Sequence, residues 1–558
     1  MTLYRQVIFR KDSSEPRSWL HQVQICITNK NTKTVKTQQA KAQTETVEDT
    51  GEGLLMRSKL DDLSVWQSVR RFKRVGCIAM LAAFSASLDG YQINLNGGIV
   101  SNPGFIRQFS TSGTTIIAGK YISAWGGIQS AGQTIGQVLL QYATERLGRK
   151  VAMMIIWVVL TASIFAESFA THWQHWLVAK LFSGMGVGML QSTMPLYLSE
   201  ISPTQLRGFF INAYSFWFVL GQLFASVALK ELKANDPLDF RTPIYTQWAM
   251  IGCILVAFLL IPESPWWLAS KGKVEQASQV LNRCFANVEG YDIDQQIEIM
   301  TSTIALERQQ AEQNSELGPW AVFKGRNLIR FIISGWPKIT QQFVGLAVFN
   351  TYATYFFQYA GNKDPFLVTL ILSSVQLISM IATATLTDSI GRRPLTVYPQ
   401  GYQFATCQYH LDGITFYLTN TVLQIFFACL ATFSTTGASA IGYAYAAEIP
   451  QQRLRAQTAG WSLAVSNCVA IIFSFCTPLM INGAAKWGVK TGFFFAGTGT
   501  VAVTIAWFIL PEVARRTPAE IDEMFEKKVN LRHFDKFVTE VQVHAHELQD
   551  RKKVVDEV

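Results

Sequence analysis

The stretch YLSEISPTQLRG at residues 197–208 decides the fold, because it returns later in the chain as YAAEIPQQRLRA at residues 445–456. In each copy a glutamate, Glu200 or Glu448, closes a long apolar run, and an arginine seven residues later opens the next one. A carboxylate and a guanidinium at a membrane–water boundary can form a charge-assisted contact without either charge entering the hydrocarbon. The pattern therefore predicts a clamp between two neighbouring helix ends.

Two further motifs are repeated in the same order. ERLGRK at 145–150 matches DSIGRR at 388–393, and PESPWWL at 262–268 matches PEVARRT at 511–517. The copies are offset by 243 and 249 residues, and those of the opening stretch by 248. Nearly constant offsets over three motifs indicate that one half-protein occurs twice, which in an apolar chain is typical of a two-half transporter.

The composition is that of a membrane protein with many spans. Of 558 residues, 49% are hydrophobic and only 16% are charged, whereas soluble proteins carry about 25% charged residues. The net charge of +9 comes from short basic clusters between apolar runs, a pattern of membrane loops rather than of nucleic-acid binding. The sequence shows no phosphate loop, nucleophile elbow or metal-spaced cluster, and its eight cysteines are scattered. We therefore expect no enzymatic activity, cofactor, metal or nucleic-acid partner.

The apolar runs are long enough to cross a bilayer about twelve times. The first six candidate spans are 75–95, 121–142, 151–170, 176–197, 209–229 and 246–262. The others are 329–357, 366–387, an atypical one within 395–420, and then 421–447, 456–480 and 491–511. The sequence predicts an all-α membrane protein with twelve transmembrane helices in two six-helix halves.

The basic clusters predict the orientation. They fall on one side of the membrane when the spans alternate, so both termini and the central loop are expected in the cytoplasm of a multi-pass plasma-membrane protein. The predicted parts are a disordered cytoplasmic N-terminal tail (1–73), an N-terminal half (75–262), a cytoplasmic helical linker (263–328), a C-terminal half (329–511) and a cytoplasmic C-terminal tail (512–558).

These motifs resemble the major facilitator superfamily and, within it, the sugar porter family, with features of fungal hexose and oligosaccharide permeases. Pro-Glu-Ser-Pro at 262–265 and Gln-Gln-x-x-Gly at 341–345 narrow the superfamily to sugar porters. The resemblance covers about residues 75–520. It implies the twelve-helix fold of that superfamily, in which two halves rock around a site at the membrane midplane.

The resemblance also implies a cytoplasmic latch that holds the inner ends of the halves together. Glycine permits a tight turn between helices, and guanidinium groups bind carboxylates and helix C-termini. The alternative is that these charges only set topology. The predicted latch residues are Glu145, Arg146, Gly148, Arg149, Glu200, Arg207, Asp388, Gly391, Arg392, Arg393, Glu448 and Arg455.

A sugar is neutral and rich in hydroxyl groups, so its site needs amides, hydroxyls and aromatic faces. The resemblance implies that Gln341 and Gln342, in the seventh span, form the sugar-binding pair; the alternative is that they hydrogen-bond neighbouring helices. Where the family has an asparagine five residues after the second glutamine, this chain has Ala347. The other predicted substrate-binding residues are Asn350, Ser215, Trp217, Tyr443 and Asn467.

Asp89 is the predicted proton carrier. Proton-coupled members of the family carry an aspartate directly after Gly-Tyr in the first span, where this chain has Gln92. Asp89 is the one acid in that span and lies three residues earlier, on roughly the same helix face. A carboxylate in a low-dielectric cavity can load and release a proton, although a helix-packing role is the open alternative.

The region that should contain the ninth span is unlike every other span. If Arg393 and Glu448 both face the cytoplasm, an even number of spans has to lie between them. One is the tenth span at 421–447, so the ninth span has to lie within residues 395–420. That stretch contains Pro399, Asp412 and three glutamines, and an aspartate near a helix centre costs roughly 2.5–3.5 kcal/mol. We expect this segment to be foreign to the fold or, as the functional alternative, to line a polar cavity.

These features together predict a carrier that moves a sugar or polyol across the membrane by alternating access, with proton symport. Its expected partners are a small neutral polyhydroxylated substrate, protons and the lipid bilayer. The alternative, from a different class, is a transporter-like sugar sensor that signals through its cytoplasmic tails. Net uptake distinguishes the two, because a sensor binds sugar without moving it.

Overall fold

The structure is a computed structural model. It describes residues 68–110, 117–203, 206–313, 320–398, 421–482 and 487–543, apart from positions 69, 287, 289–290, 360–361, 363, 488–489, 515, 517 and 541. Most of the predicted N-terminal tail and residues 399–420 of the atypical ninth span lie outside this set.

Helices account for the membrane part of the chain, which confirms the predicted all-α class. The first span consists of two helices, Lys73–Ala83 and Ala86–Ile99. The second to sixth spans are Gly119–Leu147, Arg149–Ser168, Trp173–Ile201, Arg207–Asn235 and Thr242–Leu260. Further helices follow at Pro265–Ser270, Val274–Phe285 and Ile293–Gln313.

The second half begins with an interrupted helix. The seventh span comprises Gly325–Phe343 and Ala353–Tyr359. The eighth, tenth, eleventh and twelfth spans are Pro365–Ile390, Thr421–Glu448, Arg455–Asn482 and Thr491–Ile509, and a short helix, Pro518–Glu526, follows them.

Six of these helices are long and apolar enough to cross a membrane by length and composition alone. They are Arg149–Ser168, Arg207–Asn235, Thr242–Leu260, Pro365–Thr387, Arg455–Ile481 and Thr491–Ile509. The second span falls short because it carries Gln129, Gln133 and Gln137 at intervals of four residues. That spacing places all three glutamines on one helix face, and all three are buried in the bundle. The second span therefore directs these polar side chains inward, not toward lipid.

The turn between the second and third spans is built around Gly148 and Glu263. Gly148 has a φ of +101°, a conformation that glycine adopts at little cost. The Glu263 carboxylate accepts hydrogen bonds from the backbone N–H groups of Arg149 (2.9 Å) and Lys150 (3.1 Å). It thereby caps the positive end of the third span. A Cβ atom at position 148 would lie 2.5 Å from that carboxylate, so the close approach also requires glycine.

The C-terminal half repeats this turn. Gly391 also has a φ of +101°, and Glu512 accepts hydrogen bonds from the backbone N–H groups of Arg392 (3.0 Å) and Arg393 (2.9 Å). We call the end of the bundle that carries the Gly148 and Gly391 turns the charged end. The repeat detected in the sequence is therefore a repeat of hydrogen bonding as well as of residue type.

The two halves meet through polar contacts. Their most extensive contacts join the second span to the eleventh and the fifth span to the eighth. Asn467 donates to the side-chain oxygen of Gln137 at 3.0 Å in the first of these contacts, and the hydroxyls of Ser226 and Ser373 lie 2.9 Å apart in the second. Between these contacts lies the cavity described next.

Candidate functional site

Polar side chains from both halves line one central cavity. The N-terminal half contributes amides such as Gln133, Gln137 and Gln222, together with Ser215. The C-terminal half contributes amides, several threonine and serine hydroxyls and the ring of Tyr443. Amides and hydroxyls both donate and accept hydrogen bonds, while an aromatic ring offers an apolar face. This combination suits a neutral molecule with many hydroxyl groups.

The seventh span is unwound beside the cavity. Gln341 and Gln342 lie in its last regular turn, and both line the cavity. Gly345 follows with a φ of +104°, and residues 347–351 form a π-helical turn. Such breaks occur often at functional sites, where unwound backbone can line a cavity inside the membrane. The Gln-Gln-x-x-Gly motif therefore places two amides directly before a break in the helix.

The structure brings most of the predicted substrate-binding residues together. Asn350 lines the cavity, and its side-chain oxygen accepts a hydrogen bond from Gln222 at 3.1 Å. Asn467 lines the cavity and donates to Gln137. The hydroxyl of Ser215 is buried at the cavity and has no hydrogen-bond partner in the described part of the chain. It therefore remains available to a ligand.

Trp217 does not join this group. It lies two residues after Ser215, which places it about 200° further around the helix. Its ring packs edge-on against Phe84, between the two helices of the first span, with 5.1 Å between ring centroids. The ring therefore fills an apolar contact behind the cavity and is not among the described lining residues.

Asp89 is buried behind the cavity wall. One carboxylate oxygen accepts a hydrogen bond from the Tyr214 hydroxyl at 2.8 Å, and the other accepts one from the Gln191 amide at 3.2 Å. The carboxylate is 1% exposed, and it does not line the cavity itself. Gln191 does line it, so this amide connects Asp89 to the ligand space.

Lys338 is the functional candidate that was not predicted from the sequence. It lies four residues before Gln342 in the seventh span and lines the cavity. Its ammonium nitrogen lies 3.5 Å from the centroid of the Tyr443 ring, a cation–π contact. The signal was available in the sequence, since a lysine within an apolar membrane segment is expensive and for that reason usually functional.

A buried ion pair in the N-terminal half was also not predicted from the sequence. Lys180 of the fourth span and Glu167 of the third span form an ion pair of 2.9 Å, with both side chains fully buried. Gln247 donates to the second carboxylate oxygen of Glu167 at 3.3 Å, and Gln92 donates to Gln247 in turn. This network links four spans of the N-terminal half away from the central cavity, which suggests a structural role for the pair.

At the charged end, Glu200 has a different partner from the one that the sequence suggested. Its carboxylate binds the Arg149 guanidinium through two contacts of 2.6 and 2.9 Å. Arg207 instead donates to the backbone carbonyl of Ser199 at 3.1 Å. The glutamate is thus joined to the turn around Gly148, because that turn brings Arg149 to the end of the fourth span.

In the C-terminal half, too, the glutamate has a different partner from the one that the sequence suggested. Glu448 lies 3.4 Å from the Arg392 guanidinium, whereas the sequence suggested Arg455, which is buried. Arg393 donates to the backbone carbonyl of Trp507 at 3.0 Å. The side chain of Asp388, also predicted for the latch, lies outside those that the structure describes. These ion pairs join spans within one half, so they do not bridge the two halves directly.

Other contacts do bridge the halves at both ends. At the charged end, Gln457 donates to the Glu145 carboxylate at 2.9 Å. At the opposite end, the Lys233 ammonium contacts the Asp364 carboxylate at 3.0 Å. No group of His, Cys, Asp and Glu side chains in the described ranges is arranged to hold a metal ion. The site is thus a polar cavity between two halves that touch above and below it.

Comparisons with known proteins agree with this architecture. Residues 78–525 match the family described as "Sugar (and other) transporter". The general alpha-glucoside permease of Saccharomyces cerevisiae is 28% identical over 494 residues, which cover 86% of this chain and 79% of the permease. The MFS transporter fmqE of Aspergillus fumigatus is 27% identical over 498 residues, covering 85% and 91% of the two chains. These relatives are transporters, not enzymes.

The solved structures show the same fold. The proton:xylose symporter XylE, bound to 6-bromo-6-deoxy-D-glucose, matches with a TM-score of 0.68. The match covers 82% of this chain and 100% of XylE at 20% identity. At that identity the likeness shows the fold alone, which confirms the predicted twelve-helix arrangement in two halves.

Proposed function

The chain belongs to the sugar porter family of the major facilitator superfamily, and on this basis we propose that it carries a sugar or polyol across the plasma membrane by alternating access. The observation that carries the proposal is the central cavity, where amides and hydroxyls from both halves face one space. Gln341 and Gln342 contribute from the C-terminal half, and Gln137 and Ser215 contribute from the N-terminal half. A ligand that bridges the two sets is released when the halves rock apart on one side.

An α-glucoside is the first substrate to test. The general alpha-glucoside permease and the maltose permease MAL61 of Saccharomyces cerevisiae, the latter 25% identical over 487 residues, both take their names from such sugars. Each buried amide that hydrogen-bonds a sugar hydroxyl contributes roughly 0.5–1.5 kcal/mol. Several of them around one ligand therefore suffice for the modest affinity that a carrier needs in order to release its substrate.

We assign the charged end to the cytoplasm, with both termini and the linker. Its basic residues support this orientation through the positive-inside rule. The predicted latch then acts in two parts. The Arg149–Glu200 and Arg392–Glu448 pairs hold each half rigid, and the Glu145–Gln457 contact closes the inner end between the halves. Rigid halves are what alternating access requires, because the motion has to be concentrated at their interface.

We further assign proton coupling to Asp89. Its carboxylate is buried within the first span next to the cavity-lining Gln191, in surroundings that favour exchange between charged and neutral forms. Asp89→Asn removes the titrating group and keeps its shape. The variant should lose accumulation of sugar against a gradient while it retains exchange of sugar across the membrane.

Uptake of radiolabelled maltose, glucose and xylose into transport-null yeast cells tests the proposal. The wild-type protein should accumulate at least one of these sugars, and cells with empty vector should not. Saturable binding without net flux would instead favour the sensor function, and neither binding nor flux for any sugar of the panel would contradict both. Cell-surface levels measured on the same cells exclude poor expression as the cause of a negative result.

A further inference from the structure

The central cavity contains one charged side chain among its described lining residues, that of Lys338. The residue is 8% exposed, so its ammonium group is largely removed from bulk water. Burying an ammonium in this way is unfavourable unless a counter-charge or strong acceptors compensate for it. A neutral sugar does not by itself require such a group, because amides and hydroxyls already provide donors and acceptors. The position of Lys338 therefore calls for a separate explanation.

Asp89 provides the counter-charge from the opposite half. It is connected to Lys338 through a pair of tyrosines. Tyr214 donates to Asp89, its ring packs edge-on against that of Tyr443 at 5.5 Å, and Lys338 lies over the Tyr443 ring. Acid and amine come from the first and seventh spans, so the interaction crosses the interface that alternating access opens and closes.

Two tyrosines lie between Asp89 and Lys338 in the described part of the bundle. Among the described residues, the titratable side chains in contact with Asp89 or Lys338 from the packed spans are Tyr214 and Tyr443. The Glu167–Lys180 pair lies in the N-terminal half and is internally neutral. The charge balance of the cavity is therefore set by Asp89 and Lys338 together.

The two residues have different access to ligand. Lys338 lines the cavity, whereas Asp89 does not. When Asp89 is ionised, it neutralises Lys338 across the interface. When Asp89 takes up a proton, the ammonium loses this counter-charge, and an oxygen of a ligand in the cavity that accepts a hydrogen bond from it offsets part of that loss. Binding of that ligand in turn lowers the tendency of Lys338 to hold Asp89 in its ionised form.

We propose that Lys338 couples proton binding to substrate binding, as the counter-ion of Asp89 in the empty carrier and as a hydrogen-bond donor to a substrate oxygen in the loaded one. Such coupling is reciprocal: a proton on Asp89 raises the affinity for substrate by the same factor by which substrate raises the affinity for the proton. The proposal rests on the proposed function, since it gives the proton at Asp89 its effect on sugar binding.

The first test needs no substrate and uses the purified full-length protein. Infrared spectroscopy follows the C=O band of a protonated buried carboxyl group as the pH is raised, and Asp89→Asn identifies the band that belongs to Asp89. Lys338→Met removes the counter-charge at similar side-chain length, so Asp89 should stay protonated to a higher pH than in the wild type. Lys120→Met, at an exposed lysine of the second span, is the matched control. An Asp89 band that titrates identically in Lys338→Met and wild type would overturn the pairing, whatever the protein transports.

The second test measures transport of the sugar that the wild type accumulates best in the panel of maltose, glucose and xylose. Lys338→Met should lower concentrative uptake by about tenfold or more, whereas Lys338→Arg should keep part of it and its pH dependence. The double variant Asp89→Asn/Lys338→Met removes both charges, so its sugar exchange should return to the level of Asp89→Asn and be independent of pH. Wild-type accumulation and pH dependence in Lys338→Met would contradict the proposal, and so would independent, multiplicative losses in the double variant. Failure of the wild type to transport any sugar of the panel would count against the proposed function instead.

Discussion

Replacing Glu200 with glutamine should destabilise the N-terminal half more than any other single change at the charged end. The carboxylate makes two contacts with the Arg149 guanidinium, at 2.6 and 2.9 Å. The side chains of Arg149 and Glu200 are only 9% and 4% exposed. Glu200→Gln keeps the size of the side chain but leaves a buried guanidinium without its counter-charge.

Removing one partner of a buried ion pair costs about 3–5 kcal/mol, mainly because the other charge stays buried. We expect a loss in this range for Glu200→Gln. The double variant Arg149→Met/Glu200→Leu removes both charges and should recover most of the loss. Glu448→Gln is the natural comparison in the other half. Its contact with Arg392 is a single one of 3.4 Å, so we expect a smaller effect there.

Thermal unfolding of the detergent-solubilised protein, followed by size-exclusion chromatography after heating, measures these differences. The predicted order of midpoints is wild type, then the double variant, with Glu200→Gln lowest. A midpoint for Glu200→Gln equal to that of the wild type would refute the reasoning. A double variant that is less stable than the single one would refute it as well, because the penalty could not then come from an unpaired charge.

Three further predictions concern the substrate site, the Lys233–Asp364 contact and residues 395–420. Gln341→Leu and Gln342→Leu should leave the protein in the membrane but raise the KM for sugar by up to about tenfold each, since a lost neutral hydrogen bond costs roughly 0.5–1.5 kcal/mol; unchanged KM values in an uptake assay would exclude both residues from the site. Partial burial alone would raise the pKa of Asp364, but the hydrogen bond and charge of Lys233 outweigh it and hold that pKa below its usual value. The ion pair is therefore present above about pH 4 and is lost as the pH falls below that value. Lys233→Ala should change the sugar exchange rate, relative to the wild type, by the same factor at pH 5 and at pH 8. The change should correspond to no more than about 1 kcal/mol in activation free energy. If residues 395–420 are foreign to the fold, transcript sequencing should find a message without them, and a message that encodes them together with normal surface expression and uptake would contradict this.

The repeat made the fold predictable from sequence. Tyr197 and Tyr445, the first residues of the two repeated stretches, both use their hydroxyls to donate to the carbonyl of the proline in the matching motif. These are Pro262 at 2.9 Å and Pro511 at 2.7 Å. Equivalent residues therefore make equivalent contacts, which explains why matched spacing along the chain predicted matched halves.

The pairing of charges could not be predicted in the same way. Spacing suggested that Glu200 would meet the arginine seven residues later, yet the fold brings Arg149 from a different span to it. Sequence separation describes neighbours along one chain segment, whereas the turn at Gly148 decides which helix ends meet. The capping role of Glu263 was not predicted for the same reason, since it depends on a contact with Arg149, more than a hundred positions away along the chain.

Within the site, the sequence predicted residue types better than directions. The resemblance singled out Gln341 and Gln342, which line the cavity. Trp217 was chosen for its aromatic ring, but the helix turns that ring away from the cavity. Lys338 was overlooked because a sugar site was expected to lack charges. Asp89, its proposed counter-ion, lies on a different span, so nothing along the chain indicates the pairing.

The most direct test of proton-coupled sugar transport is uptake by the purified protein reconstituted into liposomes with an imposed proton gradient. With the outside more acidic than the inside, radiolabelled maltose, or the sugar of the panel that cells accumulate best, should rise above its external concentration. A protonophore should release this excess, and Asp89→Asn liposomes should only equilibrate. Accumulation that does not depend on the proton gradient, or saturable binding with no net uptake, would contradict proton-coupled sugar transport.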